Sequence, residues 1–276
     1  MSLDCLLLNA SFTHGMIDCL INNFSMAKDH NNAGYLPLSR VQTFCAEDSS
    51  MSLNVFTYGY QKLEVIDVES CGSHILDYAA TVLDNSDDSI VFHDRFLLER
   101  DSLLEYLHKC SDSYISRSDP RRFLQQRALY ETVSGTEGVA VNIEEADVEE
   151  FDDCYWMDIA TSNALPQFAL EHALRILNHN HFDVVRSHLD VVSDGDNGKV
   201  TLLRLVARPV GDCDTSQDSL ERIARQLKRT KWLDPYTMDL AVDKYPDLLS
   251  LRHAEIITAF CSLMHPIMSK QVRHDS

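Results

Sequence analysis

Between Trp156 and Pro209 the spacing of apolar residues switches from strand-like to helix-like and back. Trp156-Met157-Asp158-Ile159-Ala160 predicts a short strand running into Thr161-Ser162-Asn163, residue types that start helices. Pro166 falls where a first helical turn tolerates a missing N–H, and Phe168, Leu170, Ala173, Leu174, Ile176 and Leu177 follow at helical spacing. Asp183–Val192 and Lys199–Val206 are β-rich runs joined by Ser193-Asp194-Gly195-Asp196-Asn197-Gly198, whose Asn-Gly step signals a hairpin. Thr215–Lys231 predicts a second helix, with Thr215 and Asp218 spaced as a capping box. Strand, helix, hairpin, helix is the βαββα part of a ferredoxin-like unit.

The same order recurs near the N-terminus. Asp4–Asn9 is an apolar strand and Met16–Met26 an apolar-periodic helix. Arg40–Asp48 echoes Arg186–Asp194, Ser52–Tyr58 answers Lys199–Leu205, and Ser73–Leu83 supplies the second helix. The pattern therefore predicts an α+β chain with two copies of one module, each an antiparallel sheet backed by helices. The expected division is a first module over 1–94, a helical connector and strand over 95–150, a second module over 151–233 and a C-terminal helical segment over 234–276.

Within the connector, Ile90-Val91-Phe92 predicts a short strand and Arg95–Cys110 a helix. Asp119-Pro120 starts another helix reaching Val133, Val139–Ile143 reads as a strand, and acidic Glu144–Asp153 reads as the linker between halves. Asp234-Pro235 precedes a helix over Tyr236–Lys244, and a long helix begins near Ser250. That last helix carries Leu251, Ala254, Ile257, Ala259, Phe260, Leu263 and Ile267, more apolar surface than a free tail should show. It is expected to meet another domain or another copy, as in a fragment of a longer chain.

The 24 basic and 43 acidic residues give a net charge of −19, which argues against nucleic-acid and membrane partners because both present negative charge. No apolar run is long enough to span a bilayer and no signal peptide is evident, so a cytoplasmic location is expected. Eight cysteines lack C-x-x-C spacing and read as buried thiols in a reducing compartment.

Candidate chemistry is sparse. The glycines form neither a dinucleotide fingerprint nor a P-loop, and neither G-x-S-x-G nor H-E-x-x-H occurs. His172, His179 and His181 read as a polar helix end with no metal. Asp190, Asp194 and Asp196 lack the twelfth-position acid of a calcium loop and read as turn polarity. Arg40 and Arg186 occupy matched positions, as an anion contact or, the favoured reading, as strand starts. Trp156 and Trp232 are expected as core aromatics.

Tandem units of this kind resemble ACT-type regulatory domains, which bind a small ligand near the first strand-to-helix loop and at the interface of paired modules. The resemblance implies effector-binding residues Asn9, Ser11 and Gly15 in the first loop, Thr161, Ser162 and Asn163 in the second, and Arg186. The family's D-x-x-G-type loop is absent as such, and the second loop has no glycine.

A further resemblance rests on particular segments. These are Tyr114-Ile115-Ser116-Arg117-Ser118-Asp119-Pro120-Arg121-Arg122-Phe123-Leu124, Val139–Ile143, Asp158-Ile159-Ala160-Thr161-Ser162-Asn163-Ala164-Leu165-Pro166, Val185–Val192 and Ala254–Ala259. Together they are similar to the N-terminal region of the large NAD-specific glutamate dehydrogenases. The resemblance implies a parent enzyme that deaminates glutamate to 2-oxoglutarate with NAD, whose catalytic residues lie outside this sequence. This segment is then expected to hold no cofactor and no catalytic residue. Its expected partners are the catalytic domain of the same chain, further copies of itself and a small-molecule effector. An alternative is a free-standing ACT-like binding or dimerisation module. A third, a small independent enzyme, would need a cleft where buried carboxylates and histidines converge.

Overall fold

The computed structural model describes residues 2–9, 37–45, 51–59, 67–84, 98–148, 151–245 and 248–274. Seven strands form one antiparallel sheet: β1 (Ser2–Asn9), β2 (Leu38–Cys45), β3 (Ser52–Gly59), β4 (Val139–Val148), β5 (Phe151–Ser162), β6 (Phe182–Ser193) and β7 (Lys199–Pro209). Their lateral order is β1-β3-β2-β6-β7-β5-β4. In each half the third strand of a trio lies between the other two, giving β1-β3-β2 and β5-β7-β6.

The halves join where β2 meets β6, with Val41 opposite Leu189. Thr43 fastens that seam: its Oγ1 accepts the Ser187 N–H at 2.8 Å and donates to Asn54 Oδ1 at 2.9 Å, all three residues being buried. One sheet therefore runs through both halves, and each half's second strand is an inner strand.

Helices cover the sheet on both faces. On one face α1 (Val68–Cys71), α2 (Ser73–Asp84), α3 (Arg100–Leu107), α4 (Asp112–Arg117) and α5 (Pro120–Val133) share a core with Ala160, Val192, Val200 and Leu202. On the other, α6 (Pro166–His179), α7 (Gln217–Leu227), α8 (Pro235–Met238), a π-helical turn over Asp239–Lys244 and α9 (Leu251–His274) pack on Met157, Ile159, Leu203 and Leu205. Strands covered on both sides read as near-continuous apolar runs, as the β7 stretch Val200-Thr201-Leu202-Leu203-Arg204-Leu205-Val206-Ala207 does, interrupted by Thr201 and Arg204.

Several expectations are met closely. Asp119 caps α5 through the Arg122 N–H at 3.0 Å with Pro120 in the first turn, and Pro166 opens α6. The hairpin turn uses Gly195 and Gly198 at φ of 61° and 103°. A Cβ on Gly198 would stand 2.2 Å from Asn163 Oδ1, so the turn admits no side chain there.

Others are corrected. The described residues of the acidic stretch expected as a linker, 144–148 and 151–153, belong to β4 and β5, which pair with Glu144 opposite Trp156 and Val148 opposite Phe151. Thr161 and Ser162 do not start a helix: β5 continues through them because β7 offers Thr201 and Val200 as ladder partners. Leu165 takes the N-cap position of α6 with no side-chain bond. Ser216 replaces Thr215 as the cap of α7, accepting the Ser219 N–H. The connector helix is shorter than expected, Arg100–Leu107, and α4 was not anticipated. Trp232, expected in the core, is 60% exposed. The expected helix over 16–26 and strand over 90–92 lie outside the described residues.

Candidate functional site

A concentration of charge lies between α4–α5 and the sheet. The antiparallel register sets Asn142, Asp158, Arg204 and His188 in one row across β4, β5, β7 and β6. These are the even-numbered positions of β5 and β7, on the face that α5 covers. A cavity of about 470 Å³ opens above the row. From the helices come Arg117, Asp119, Arg121, Arg122 and Gln125; from the strands come Trp156, Arg186, His188 and Arg204, with Glu144, Glu145 and Asp147 on β4.

Arg204 organises the floor. Its guanidinium carbon stands 4.4 Å from the Trp156 ring centroid, its Nε 3.5 Å from Asp158 Oδ1, and its Nη2 3.3 Å from Gln125 Oε1. Glu144 approaches the same guanidinium at 3.7 Å and accepts from Gln125 Nε2 at 3.1 Å. Neither Asp158 oxygen has a hydrogen-bond donor among the described residues, so the Arg204 contact is electrostatic. Burial raises the Asp158 carboxyl to about 6 despite the opposing pull of Arg204 and Arg122.

A second carboxyl, Asp190 on β6, lies one strand residue past the Val41–Leu189 pair, and the register places Arg40 of β2 across from it. Burial drives it up to about 7 against Arg122, Arg40 and Arg117. Burial, together with Arg122, Arg186 and Arg204, holds the His188 imidazole well below its usual range, hence neutral. On the arginine side, Arg117 donates to Gln42 of β2, and Arg122 Nε is a buried donor with no acceptor among the described residues.

A smaller cavity of about 270 Å³ occupies the opposite face, where β5 hands over to α6. Thr161, Asn163, Leu165, Phe168, His172 and Lys231 line it. His172 Nδ1 lies 2.9 Å from the Thr230 carbonyl, so the ring is tied to the 230 turn. Lys231 pairs with Glu137, which also accepts from Asn163 Nδ2 at 2.9 Å.

The residues singled out from sequence are thus distributed over separate places. Arg186 lines the arginine cleft, and Thr161 and Asn163 line the strand-to-helix cavity. Ser162 is buried and donates to the Gly138 carbonyl at 3.1 Å. Asn9 sits on β1 opposite Ser52, at the far side of the sheet, while Ser11 and Gly15 lie outside the described residues. Among the described residues no three His, Cys, Asp or Glu side chains cluster as metal ligands, and no helix is long and apolar enough to cross a membrane.

Sequence reasoning missed Asp158 and Arg204. The signal was a single charge inside each of two apolar strands, which a doubly covered sheet accommodates only in pairs. No known family profile matches this chain, and no curated protein is detectably similar to it in sequence.

Proposed function

We propose that this chain is a non-catalytic regulatory and assembly region built from two ACT-like modules, belonging to an NAD-dependent glutamate dehydrogenase. The observation that carries the modular reading is the pair of strand trios, β1-β3-β2 and β5-β7-β6, of equal internal order and joined through their second strands. The described part of the echo, Arg40–Cys45 against Arg186–Val191, falls on those two joined strands. Adding 146 to Val41 and Thr43 gives Ser187 and Leu189, the residues they meet in exchanged order. Such reciprocity is what a local two-fold relation between modules produces.

The effector site of this reading is the strand-to-helix cavity of Thr161 and Asn163, the position that the ACT resemblance implies. Effector binding there would bias a distant catalytic domain through differential affinity for two states. Assembly is assigned to α9, where Ile256, Phe260 and Leu263 are 59, 62 and 71% exposed along one helical stripe. The catalytic domain of the same chain, or a further copy, would cover them.

The raised carboxyls of the cleft do not favour an independent enzyme. Asp158 is wholly shielded from solvent, and its environment serves to hold Arg204. Titration calorimetry against amino acids, nucleotides and 2-oxoacids tests the effector half of the proposal. Heat that disappears with Asn163→Ala supports it, while silence across all three classes leaves assembly alone. Turnover of glutamate and NAD by this chain would overturn the non-catalytic reading.

A further inference from the structure

The strand-to-helix cavity has a chemistry that narrows what it can hold. Its volume of about 270 Å³ falls below the ~300–1,000 Å³ of pockets for drug-sized ligands, so its occupant is small. Much of the wall is apolar, from Ala164, Leu165, Phe168, Ala169 and Pro235. Leu165 and Phe168 also reach solvent and so mark the mouth.

Three polar features of the wall favour the same partner. Thr161 stands on the odd-numbered face of β5 with Met157 and Ile159, the face that α6 covers. It is 2% exposed and lines the cavity, and its hydroxyl has no hydrogen-bond partner among the described residues. A buried hydroxyl left unmatched is costly, and an acceptor in the cavity removes the cost. Beside it, the 14-residue α6 begins with Leu165 at the N-cap, which offers no side-chain acceptor, so the helix brings its positive end uncapped to the cavity wall. Lys231 lines the same space with its side chain 11% exposed, and an ammonium has three N–H bonds of which Glu137 takes one.

No carboxylate lines the cavity among the described residues, and Glu137, outside the lining, is already shared by Lys231 and Asn163. A hydroxyl donor, a helix start and an ammonium suit a carboxylate group. An ammonium group on the ligand would find no anion, and a second charge would rest on apolar wall.

We propose that this cavity binds a small monocarboxylate with an apolar body and no amino group, held by its carboxylate on Thr161, the start of α6 and Lys231. The proposal rests on the effector reading given above and separates the ligand classes named there. Amino acids are disfavoured by their ammonium group, 2-oxoglutarate by its second carboxylate and nucleotides by their size.

The test is titration calorimetry of the full chain with 4-methyl-2-oxopentanoate, leucine and 2-oxoglutarate, and with 4-methylpentan-2-one as the uncharged control. Saturable heat from 4-methyl-2-oxopentanoate is expected, with each of the others at least tenfold weaker. Thr161→Val and Lys231→Met should each weaken binding about tenfold, as the loss of one hydrogen bond to a charged group does. Thr161→Val breaks no hydrogen bond within the described residues, so it remains informative should Lys231→Met disturb the contact with Glu137. Equal affinity for the uncharged ketone overturns the proposal, as does binding that neither substitution weakens. Preferential binding of leucine or 2-oxoglutarate, removed by Asn163→Ala, overturns this ligand class while sparing the effector cavity. Silence from all four compounds overturns the proposal, and silence from nucleotides as well would take the effector reading with it.

Discussion

Arg204 and Asp158 face one another across the β5–β7 ladder, 3.5 Å apart at Nε and Oδ1, with side chains only 5 and 1% exposed. The pair is an electrostatic unit between two strands of a sheet covered on both faces, so each member depends on the other for charge balance.

Removal of one partner should therefore be severe. Arg204→Met leaves the Asp158 carboxylate without its nearest cation, and a loss of about 3–5 kcal/mol is expected at neutral pH. Without Arg204 the Asp158 carboxyl titrates above its present value of about 6. The variant's deficit should therefore shrink as pH falls from 8 to 5, where the acid protonates. Urea denaturation at the two pH values checks this, and an equal deficit at both would contradict it.

Asp190 gives a pH dependence of opposite sense to the common one for acids. Its folded value of about 7 exceeds the ordinary 3.8, so its stability contribution is complete below the ordinary value and is lost as pH rises towards 7. The slope approaches about 1.4 kcal/mol per pH unit in that window. Asp190→Asn should raise the melting temperature at pH 8 and give progressively less advantage towards pH 5. A variant melting lower than the parent at pH 8 would show that Arg40, Arg117 and Arg122 outweigh burial.

Asp194 behaves the other way. Burial works against its charged form, but Ser134 Oγ and Tyr130 OH at 2.6 Å and the Gly135 N–H at 2.8 Å together hold its carboxyl below the usual range. These bonds tie the β6–β7 turn to the end of α5. Asp194→Ala should cost about 2–3 kcal/mol, measured by urea denaturation at pH 7, because two hydroxyls and an amide lose a charged acceptor. The cost should fade as acid protonates the parent through its depressed pKa.

Along α9, Phe260 and Leu263 contribute little to the described core. Phe260→Ser combined with Leu263→Ser should leave the denaturation midpoint within about 0.5 kcal/mol of the parent. If α9 is an assembly surface, the same change should lower the mass measured by sedimentation. An unaltered mass would remove self-association through this stripe.

The pattern of apolar spacing was sufficient for β5 to β7, α5 and α6, because each has a clear period and a defined start such as Asp119-Pro120 or Pro166. It was insufficient where tertiary pairing overrides local preference. Thr161 and Ser162 favour helix starts, yet the partners Thr201 and Val200 extend β5 through them. Glu144 and Glu145 look like solvated linker residues, yet Trp156 and Tyr155 pair with them across a hairpin. The cleft was hidden for a related reason. Its residues come from α4, α5, β4, β5, β6 and β7, and those of α4, α5 and β4 alone read as ordinary exposed charges. Only knowledge that α5 lies over that face turns Asp158 and Arg204 from surface positions into buried ones. The matched spacing of Arg40 and Arg186 is legible in the sequence, although a strand start accounts for it better than an anion contact does.

With both second strands zipped together at the centre, the sheet's outer margin at one end is β4. Glu144, Glu145 and Asp147 are strung along that margin. A second sheet approaching it side by side would bring like carboxylates face to face, a deterrent against open-ended fibril growth. The acidity expected as a spacer between halves thus acts as a guard rail, and replacing the exposed Glu145 and Asp147 with neutral residues should make the protein prone to edge-to-edge association.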